Sequence, residues 1–482
     1  MLLEGKTGKW EIVCGLEIHC QILSKSKIFS SASTHYGSDA NQNVSFVDAG
    51  MPGMLPTLNE ECVKQAVKTG LGLRAQINKY SEFSRKNYFY ADLPQGYQIT
   101  QFETHPIVGE GVVTIDLDDG TTKDIRIDRL HIEQDAAKSI HDMSPTKSFI
   151  DLNRCGIGLM EIVTKPDFRS PEEAGAFLKK LRSIVRYLGT CDGNMNEGSM
   201  RCDASISIRP VGEKELRPRA EIKNVNSVKF AMQAIEFEAK RQLELYESGG
   251  TMEQETCKFD ATTGTTKFMR KKEFADDYRY FPEPDLPPLV LTDEYIENIR
   301  KELPELPDAK KARFVENMGL TKYDATIICE NKEVADFFEK AAAGHDGKKV
   351  ANWLMGDFFA MLNRKNLTIE NSPVSAENLG KLVGLIENNT ISGKVAKDVF
   401  EIMSETGEDP EKIVEEKGLK QVTDSSAIEA IVDQVIAANP DNVAAFRNGK
   451  TNLKGWFVGQ VLKESKGKAN PQMVNELLDK KL

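Results

Sequence analysis

The chain has no run near 18 apolar residues, and its opening, MLLEGKTGKWEIV, puts Glu4 and Lys6 where a signal peptide needs unbroken apolar sequence. Neither a membrane span nor a secretory leader is expected. Disulfide-based secretion is likewise not expected, and the eight cysteines include no C-x-x-C pair, which leaves a structural zinc cluster with little support. No G-x-x-x-x-G-K-[ST] loop occurs, since GHDGKK at 344–349 has the wrong spacing. The G-x-G pairs at Gly70/Gly72 and Gly156/Gly158 lack the rest of a dinucleotide fingerprint and read as packing or turn glycines. A G-x-S-x-G nucleophile elbow is also missing, as are fixed repeats and low-complexity segments. Any nucleotide chemistry must therefore be built on a sheet, with metal ions supplying the electrostatics.

What is present describes a cytoplasmic, reduced, multidomain chain. Its 482 residues exceed one compact core and suggest two to four domains; 40% apolar and 28% charged residues are ordinary for a globular protein. A net charge of −11 argues against a wholly basic surface but leaves room for a local basic patch. Six of the 19 prolines fall between Pro282 and Pro307, and beyond them apolar residues recur at three- and four-residue steps, as in KEVADFFEKAAA and SGKVAKDVFEIM. A second break, ETGEDPEK at 405–412, precedes another small helical unit. Before residue 290 the pattern is mixed. Val113, Ile115 and Leu117 alternate with polar residues, Asp119-Gly120 makes a turn, and Ile125 and Ile127 alternate again, which predicts a hairpin. SPEEAGAFLKKLRSIVRYL and VKFAMQAIEFEAKRQLELY predict helices between strands. The expectation is α+β, then all-α, then a small all-α tail.

EIVCGLEIHCQIL is the most informative strand. Ile12, Cys14, Leu16, Ile18, Cys20 and Ile22 occupy one face, while Glu17 and His19 share the other, roughly 6–7 Å apart. In RLHIEQD, Leu130 and Ile132 oppose His131 and Glu133; in GLMEIVTKP, Glu161 interrupts an apolar run. A buried carboxylate needs a partner, either a structural Arg or Lys or a cation. Three carboxylates and an E-x-H pair on separate strands suit a hard divalent cation such as Mg²⁺ beside phosphate oxygens. Spacing alone leaves both explanations open.

At this point whole blocks resemble one family. GLEIHC (15–20), SRKNYFYADLPQGYQITQ (84–101), RLHIEQDAAKS (129–139), DLNRCGIGLMEIVTKPD (151–167), MRCDASISIRP (200–210), AEIKNVNS (220–227), DDYRYFPEPDLPPL (276–289) and KGWFVGQVLKESKGKANPQMVNELL (454–478) resemble the B subunits of aspartyl/glutamyl-tRNA amidotransferases. The match runs end to end, in order. It implies an α+β N-terminal cradle domain with a mostly antiparallel, glutamine-synthetase-like sheet core (1–292), an all-α helical domain (293–407) and a small all-α tail domain that binds tRNA (408–482). It also implies a ligase forming carbon–nitrogen bonds with glutamine as amido donor. ATP and Mg²⁺ would serve phosphorylation of the side-chain carboxylate of Glu-tRNA(Gln) or Asp-tRNA(Asn). Ammonia from a partner amidase, the A chain of the complex, would then displace the phosphate. A small C chain would complete a heterotrimer.

Carried over position by position, the resemblance assigns Glu17, His19, Glu133 and Glu161 to catalysis and metal binding, with His19 an unusual Mg²⁺ ligand. Lys86 is assigned to steering ammonia or contacting phosphate, against the bland alternative of a surface ion pair. Residues 442–482 hold eight basic residues against three acidic ones, whereas 406–441 hold three against nine. Such a segment reads by itself as a solvated helical face. The resemblance makes it a tRNA patch, with Lys454, Lys463, Lys466 and Lys468 as its contacts. There are departures. Many relatives have Glu where this chain has Gln134, Lys where it has Gln95, and G-T-P-L where it has Gly156-Ile157-Gly158-Leu159. A catalytically inert tRNA-binding scaffold and a free-standing metal-dependent phosphohydrolase are the competing readings. The four candidate ligands standing together disfavour the first, and the long tail disfavours the second.

Overall fold

The computed structural model describes residues 2–102, 104–271, 275–421, 425–465 and 469–482. The chain divides into two compact units, Met1–Pro307 and Asp308–Leu482. Among the described residues of the first unit, nine strands form one sheet: β1 (Leu2–Gly5), β2 (Gly8–Gln21), β3 (Gly111–Asp116), β4 (Thr122–Gln134), β5 (Gly158–Thr164), β6 (Met200–Pro210), β7 (Ala220–Val225), β8 (Glu255–Asp260) and β9 (Thr265–Lys271). Their order is β9-β8-β7-β6-β2-β5-β4-β3, with β1 against β2. Every pairing is antiparallel except β7 with β8.

Period two decides which face is core. Ile12, Cys14, Leu16, Ile18 and Cys20 of β2 are all buried, as are Ile206 and Ile208 of β6, and they join Phe177, Leu178 and Leu181 in one apolar cluster. Those last three belong to α2 (Pro171–Leu188), which packs with α1 (Glu60–Gly72) and α3 (Val228–Glu247). Local signals set α2's ends: Ser170 accepts from the Glu173 N–H, Pro171 needs no donor at the first turn, and Gly189 leaves in the left-handed region. Burying helices on one face leaves the opposite face, with Glu17 and His19, as a polar floor.

The expected hairpin is β3–β4, with Thr114 opposite Asp124 and Gly120 at φ 84° in the turn. The glycine pairs are structural. A Cβ at Gly70 or Gly72 would come within 2.7 Å of Val108 or Leu188, and Gly156 has φ 84°. All eight cysteines are free and buried. No described helix is long and apolar enough to cross a membrane.

The compact units differ from the boundaries expected at 292 and 407. The first extends to Pro307 because Leu291, Ile296 and Ile299, the last two on helix Asp293–Lys301, belong to the sheet unit's core. Proline density marks this segment, but apolar burial assigns it. In the second unit, helix Pro410–Glu416 buries Ile413 and Val414 and packs against helices Ala376–Glu387 and Gly393–Thr406. A separate core follows, in which Ile428, Val432, Phe457, Val461, Val474 and Leu478 come from helices Ser425–Ala437, Leu453–Glu464 and Pro471–Lys481.

Candidate active site

Strand register puts the candidate groups in rows across the exposed sheet face. On β4, β5, β2 and β6, His131 stands opposite Glu161, Glu161 opposite His19, and His19 opposite Arg201. One step along, Val163 faces Glu17 and Glu17 faces Asp203. Side chains at such positions meet because directly opposed residues lie close on the same face. His19 Nε2 is 3.4 Å from Glu161, 3.6 Å from Glu133 and 4.0 Å from Glu17. His131 Nε2 is 3.0 Å from Glu161 and 3.7 Å from Glu133. Thr100 Oγ1 donates to Glu133 at 2.9 Å, so the glutamate has an anchor as well as a charge partner.

Burial and charge oppose one another here. Desolvation alone would lower both histidines, yet Glu161 and Glu133 outweigh it and hold His19 up to about 9 and His131 up to about 10. The histidines in turn hold Glu161 well below, and Glu133 below, the usual carboxylate range, despite burial. Glu17 goes the other way, pushed up to about 7 by burial and by the neighbouring Glu161.

The face holds three overlapping donor groups. Glu17, His19 and Glu161, like His131, Glu133 and Glu161, offer ligand atoms within 4.8 Å of one another; so do Glu17, Asp203 and Glu221. Lys223 now bridges Asp203 at 2.8 Å and Glu221 at 2.9 Å. This mix of carboxylate oxygens with few imidazoles fits a hard divalent cation, and the histidines extend the range toward softer ions.

The short strand Ser84–Asn87 pairs with Tyr97–Thr100 and carries Lys86 to this site. Lys86 is not in a surface ion pair. Its Nζ lies 4.9 Å from the Tyr278 ring and 5.9 Å from that of Tyr88, and it makes no ion pair among the described residues. Burial would lower it, but Tyr280, Glu133 and Glu161 raise it, so it stays a cation facing the carboxylates. Glu17, His19, Lys86, Glu133 and Glu161 stand together on the wall of one cavity of about 1060 Å³, which His131, Glu221 and Lys223 also line.

Gln95 and Gln134, the two departures from the pattern of the resembled family, do meet: Gln134 Nε2 donates to Gln95 Oε1 at 2.9 Å, and Gln95 donates to the Val47 carbonyl. Gln134 is not in any of these donor groups; its neighbour Asp135 is held by Arg201 at 2.7 Å. Sequence reading left His131, Asp203, Glu221 and Lys223 out of the site. The alternation that selected Glu17 and His19 would have found them, because each shares the polar face of an alternating strand. Lys454 is paired with Asp479 at 2.6 Å, Lys463 is exposed, and Lys466 and Lys468 lie outside the described residues.

Fold and site define an α+β protein whose mostly antiparallel sheet displays an acid–histidine cluster on its open face. A family model described as the GatB/GatE catalytic domain matches residues 12–297, and one described as the GatB domain matches 336–482. The chain belongs to this family. It is 62% identical over 481 residues to the B subunit of the aspartyl/glutamyl-tRNA(Asn/Gln) amidotransferase of Paramagnetospirillum magneticum, covering 100% of this chain and 99% of that one. The similarly named protein of Rhodospirillum rubrum is also 62% identical, with the same coverage. That of Rickettsia rickettsii is 58% identical over 480 residues, covering 100% and 99%.

Proposed function

We propose that this chain is the B subunit of a tRNA-dependent amidotransferase. It phosphorylates the side-chain carboxylate of Glu-tRNA(Gln) or Asp-tRNA(Asn) with ATP and passes the acyl phosphate to ammonia, making Gln-tRNA(Gln) or Asn-tRNA(Asn). The names of its full-length relatives support the amidotransferase reading over an inert scaffold. The observation that carries the chemistry is the row His131–Glu161–His19, with Glu133 and Glu17 beside it and Lys86 facing it.

A carboxylate is a poor electrophile because an oxide-like oxygen would have to leave; phosphorylation supplies a stable leaving group. Phosphoryl transfer asks mainly for positioning and charge neutralisation. Glu17, His19, Glu133 and Glu161 would hold a divalent cation, Mg²⁺ by preference, which when bound neutralises phosphoryl oxygens. Lys86 orients the carboxylate or its phosphorylated form and keeps its own charge while doing so. The tyrosines around Lys86 exclude water from the acyl phosphate, which hydrolysis would waste. Glutamine hydrolysis belongs to the partner amidase, consistent with the lack of a hydrolase motif here. A small third chain and a tRNA-gripping tail complete the proposed assembly. The antiparallel floor with carboxylates facing a cavity also supports the kinship with glutamine synthetase-type sheets.

The test is direct. Co-expressed with its amidase partner and the small third chain, the protein is expected to convert Glu-tRNA(Gln), Asp-tRNA(Asn) or both, dependent on ATP and Mg²⁺. A purified complex that hydrolyses glutamine but amidates neither tRNA would overturn the proposal.

A further inference from the structure

The strand β4 outruns its neighbour: β3 pairs with it only from Thr122 to Ile127, so β3 does not cover the stretch from Asp128 to Gln134. Alternate residues of a strand turn their N–H and C=O to the same edge, and on this edge they are Leu130, Ile132 and Gln134. Each is answered differently. Leu130 exchanges both backbone hydrogen bonds with Val108. The Ile132 N–H donates at 3.2 Å to the side-chain oxygen of Gln101, which also accepts from the Ile107 N–H at 3.0 Å. The Gln134 carbonyl accepts from Gln98 Nε2 at 2.8 Å, and between the two glutamines Thr100 donates to the Glu133 side chain. Gln98, Thr100 and Gln101 are all buried. Two glutamine side chains thus complete an edge that a further strand would ordinarily close.

These residues belong to the hairpin that carries Lys86. Register sets Gln98 directly across from Lys86, and Thr100 across from Ser84. The other strand of the hairpin is held as well. Arg85 donates to the buried Glu283 at 2.7 and 2.8 Å, and Asn87 donates to the carbonyls of Tyr278 and Arg279. Lys86 is near enough to Glu133 and Glu161 for both to hold its charge, yet it forms an ion pair with neither. A lysine arm is long and flexible, and opposite charges facing one cavity attract. The spacing of the two backbones resists that closure. Thr100 fixes Glu133, while Gln98 and Gln101 fix how far the hairpin stands from β4. A glutamine bridge is longer than a backbone pair, so it holds the hairpin off where direct strand pairing would bring the chains to about 4.8 Å.

We propose that Gln98 and Gln101 are positioning residues that keep Lys86 apart from Glu133 and Glu161, so that the space between them stays open to the reacting carboxylate and a divalent cation. The proposal rests on the kinase reading above and adds to it a reason for the gap. A lysine collapsed onto Glu133 neutralises one candidate cation ligand and fills the place of the group to be phosphorylated. Neither glutamine needs to touch the substrate for this. Each acts through the backbone that carries Lys86.

The test uses the complete complex and two readouts: Kd for Mn²⁺, titrated without ATP or tRNA, and kcat and KM for ATP cleavage driven by misacylated tRNA. Gln98→Met and Gln101→Met keep side-chain length but remove one bridge each. Each is expected to weaken Mn²⁺ binding about fivefold and to lower kcat about tenfold, with KM for tRNA within about twofold. Gln98→Asn keeps the amide on a shorter arm and should fall between Gln98→Met and the unmodified chain; it carries the same comparison if Gln98→Met fails to assemble, which the partner's glutaminase rate reports. The deciding arm repeats the Mn²⁺ titration with Lys86→Met. If the bridges work by holding Lys86 away, removing Lys86 makes Mn²⁺ affinity insensitive to Gln98→Met or Gln98→Asn. Equal weakening with and without Lys86 would overturn the proposal, since the glutamines would then only support the sheet. Mn²⁺ affinity and kcat both unchanged in the single variants would overturn it too. Failure of the kinase reading looks different, as an unmodified complex that binds Mn²⁺ but cleaves no ATP when misacylated tRNA is added.

Discussion

The sheet face and the C-terminal helices both collect charge, but by different physics. On the sheet, β-pairing fixes Glu161 between His131 and His19, and desolvation magnifies each interaction. Among the described residues of the C-terminal core around Phe457, two lysines on helix surfaces are answered locally: Lys454 by Asp479, Lys481 by Glu429 and Asp433. A charge in the first setting is held by several strands at once and cannot relax away. One in the second is solvated and exchangeable, and worth little alone. On the function proposed above, chemistry is assigned to the sheet, and adjustable, salt-sensitive affinity to the tail.

The sharpest way to break this contrast is to remove one sheet charge. Glu161→Gln keeps shape but takes the shared partner from both His19 and His131. Activity in tRNA-dependent ATP cleavage is expected to fall roughly a hundred- to a thousandfold, while the partner's glutaminase rate survives. Acyl-phosphate formation at the unmodified rate would remove Glu161 from the site.

The second test uses pH. Glu17 at about 7 and His19 at about 9 both bind protons more tightly in the folded, cation-free chain than in the unfolded one. Stability from groups with raised values is complete below their unfolded pKa and is lost as pH rises through the folded value. For Glu17 the loss runs from about 4.5 to about 7, and for His19 from about 6.5 to about 9. Glu161 and Glu133, held low, act oppositely, but only in acid. A divalent cation replaces those protons, so Mg²⁺ or Mn²⁺ should raise Tm more at about pH 8.5 than at about pH 6. An equal shift at both pH values would argue that the cation binds elsewhere.

How much of this could be read from sequence follows from the same contrast. Alternation in EIVCGLEIHCQIL and RLHIEQD showed which residues share a face, because period two is local. It could not show that Glu161 falls between two histidines, since register is settled by packing across 30 to 140 residues of chain. Lys86 reaches the carboxylates through a hairpin, and nothing in RKNYFY by itself says where that hairpin lies. In the tail, composition revealed the basic excess but not that Lys454 is already neutralised.

A smaller effect is expected at the Gln95–Gln134 pair. Gln134 is 3% exposed, so Gln95→Lys or Gln134→Glu alone leaves a charge with no opposite partner in an enclosed place. Each single change should cost about 1–3 kcal/mol of stability or the equivalent in activity. The double change restores a pair and should recover most of that loss. Simple additivity in a double-mutant cycle would mean that the hydrogen bond between them does not couple their effects.

The tail should give the smallest single-site effect. A deletion beginning at 408 would strip helix Pro410–Glu416 from the helices it packs against, so any binding loss would be confounded by damage to the second unit. Removing 425–482 instead takes away the separate core around Phe457 and leaves that packing in place. This truncation should weaken tRNA binding and flatten its dependence on salt, with glutamine hydrolysis preserved. Lys463→Gln alone removes at most one phosphate contact. It should lower affinity only a few-fold and reduce the slope of log K against log salt by about one. Lys454→Gln should do less, since Asp479 already occupies that charge. If Lys454 proves the more sensitive of the two, tRNA breaks the Lys454–Asp479 pair on binding, and the tail's charges are less independent than their solvated positions imply.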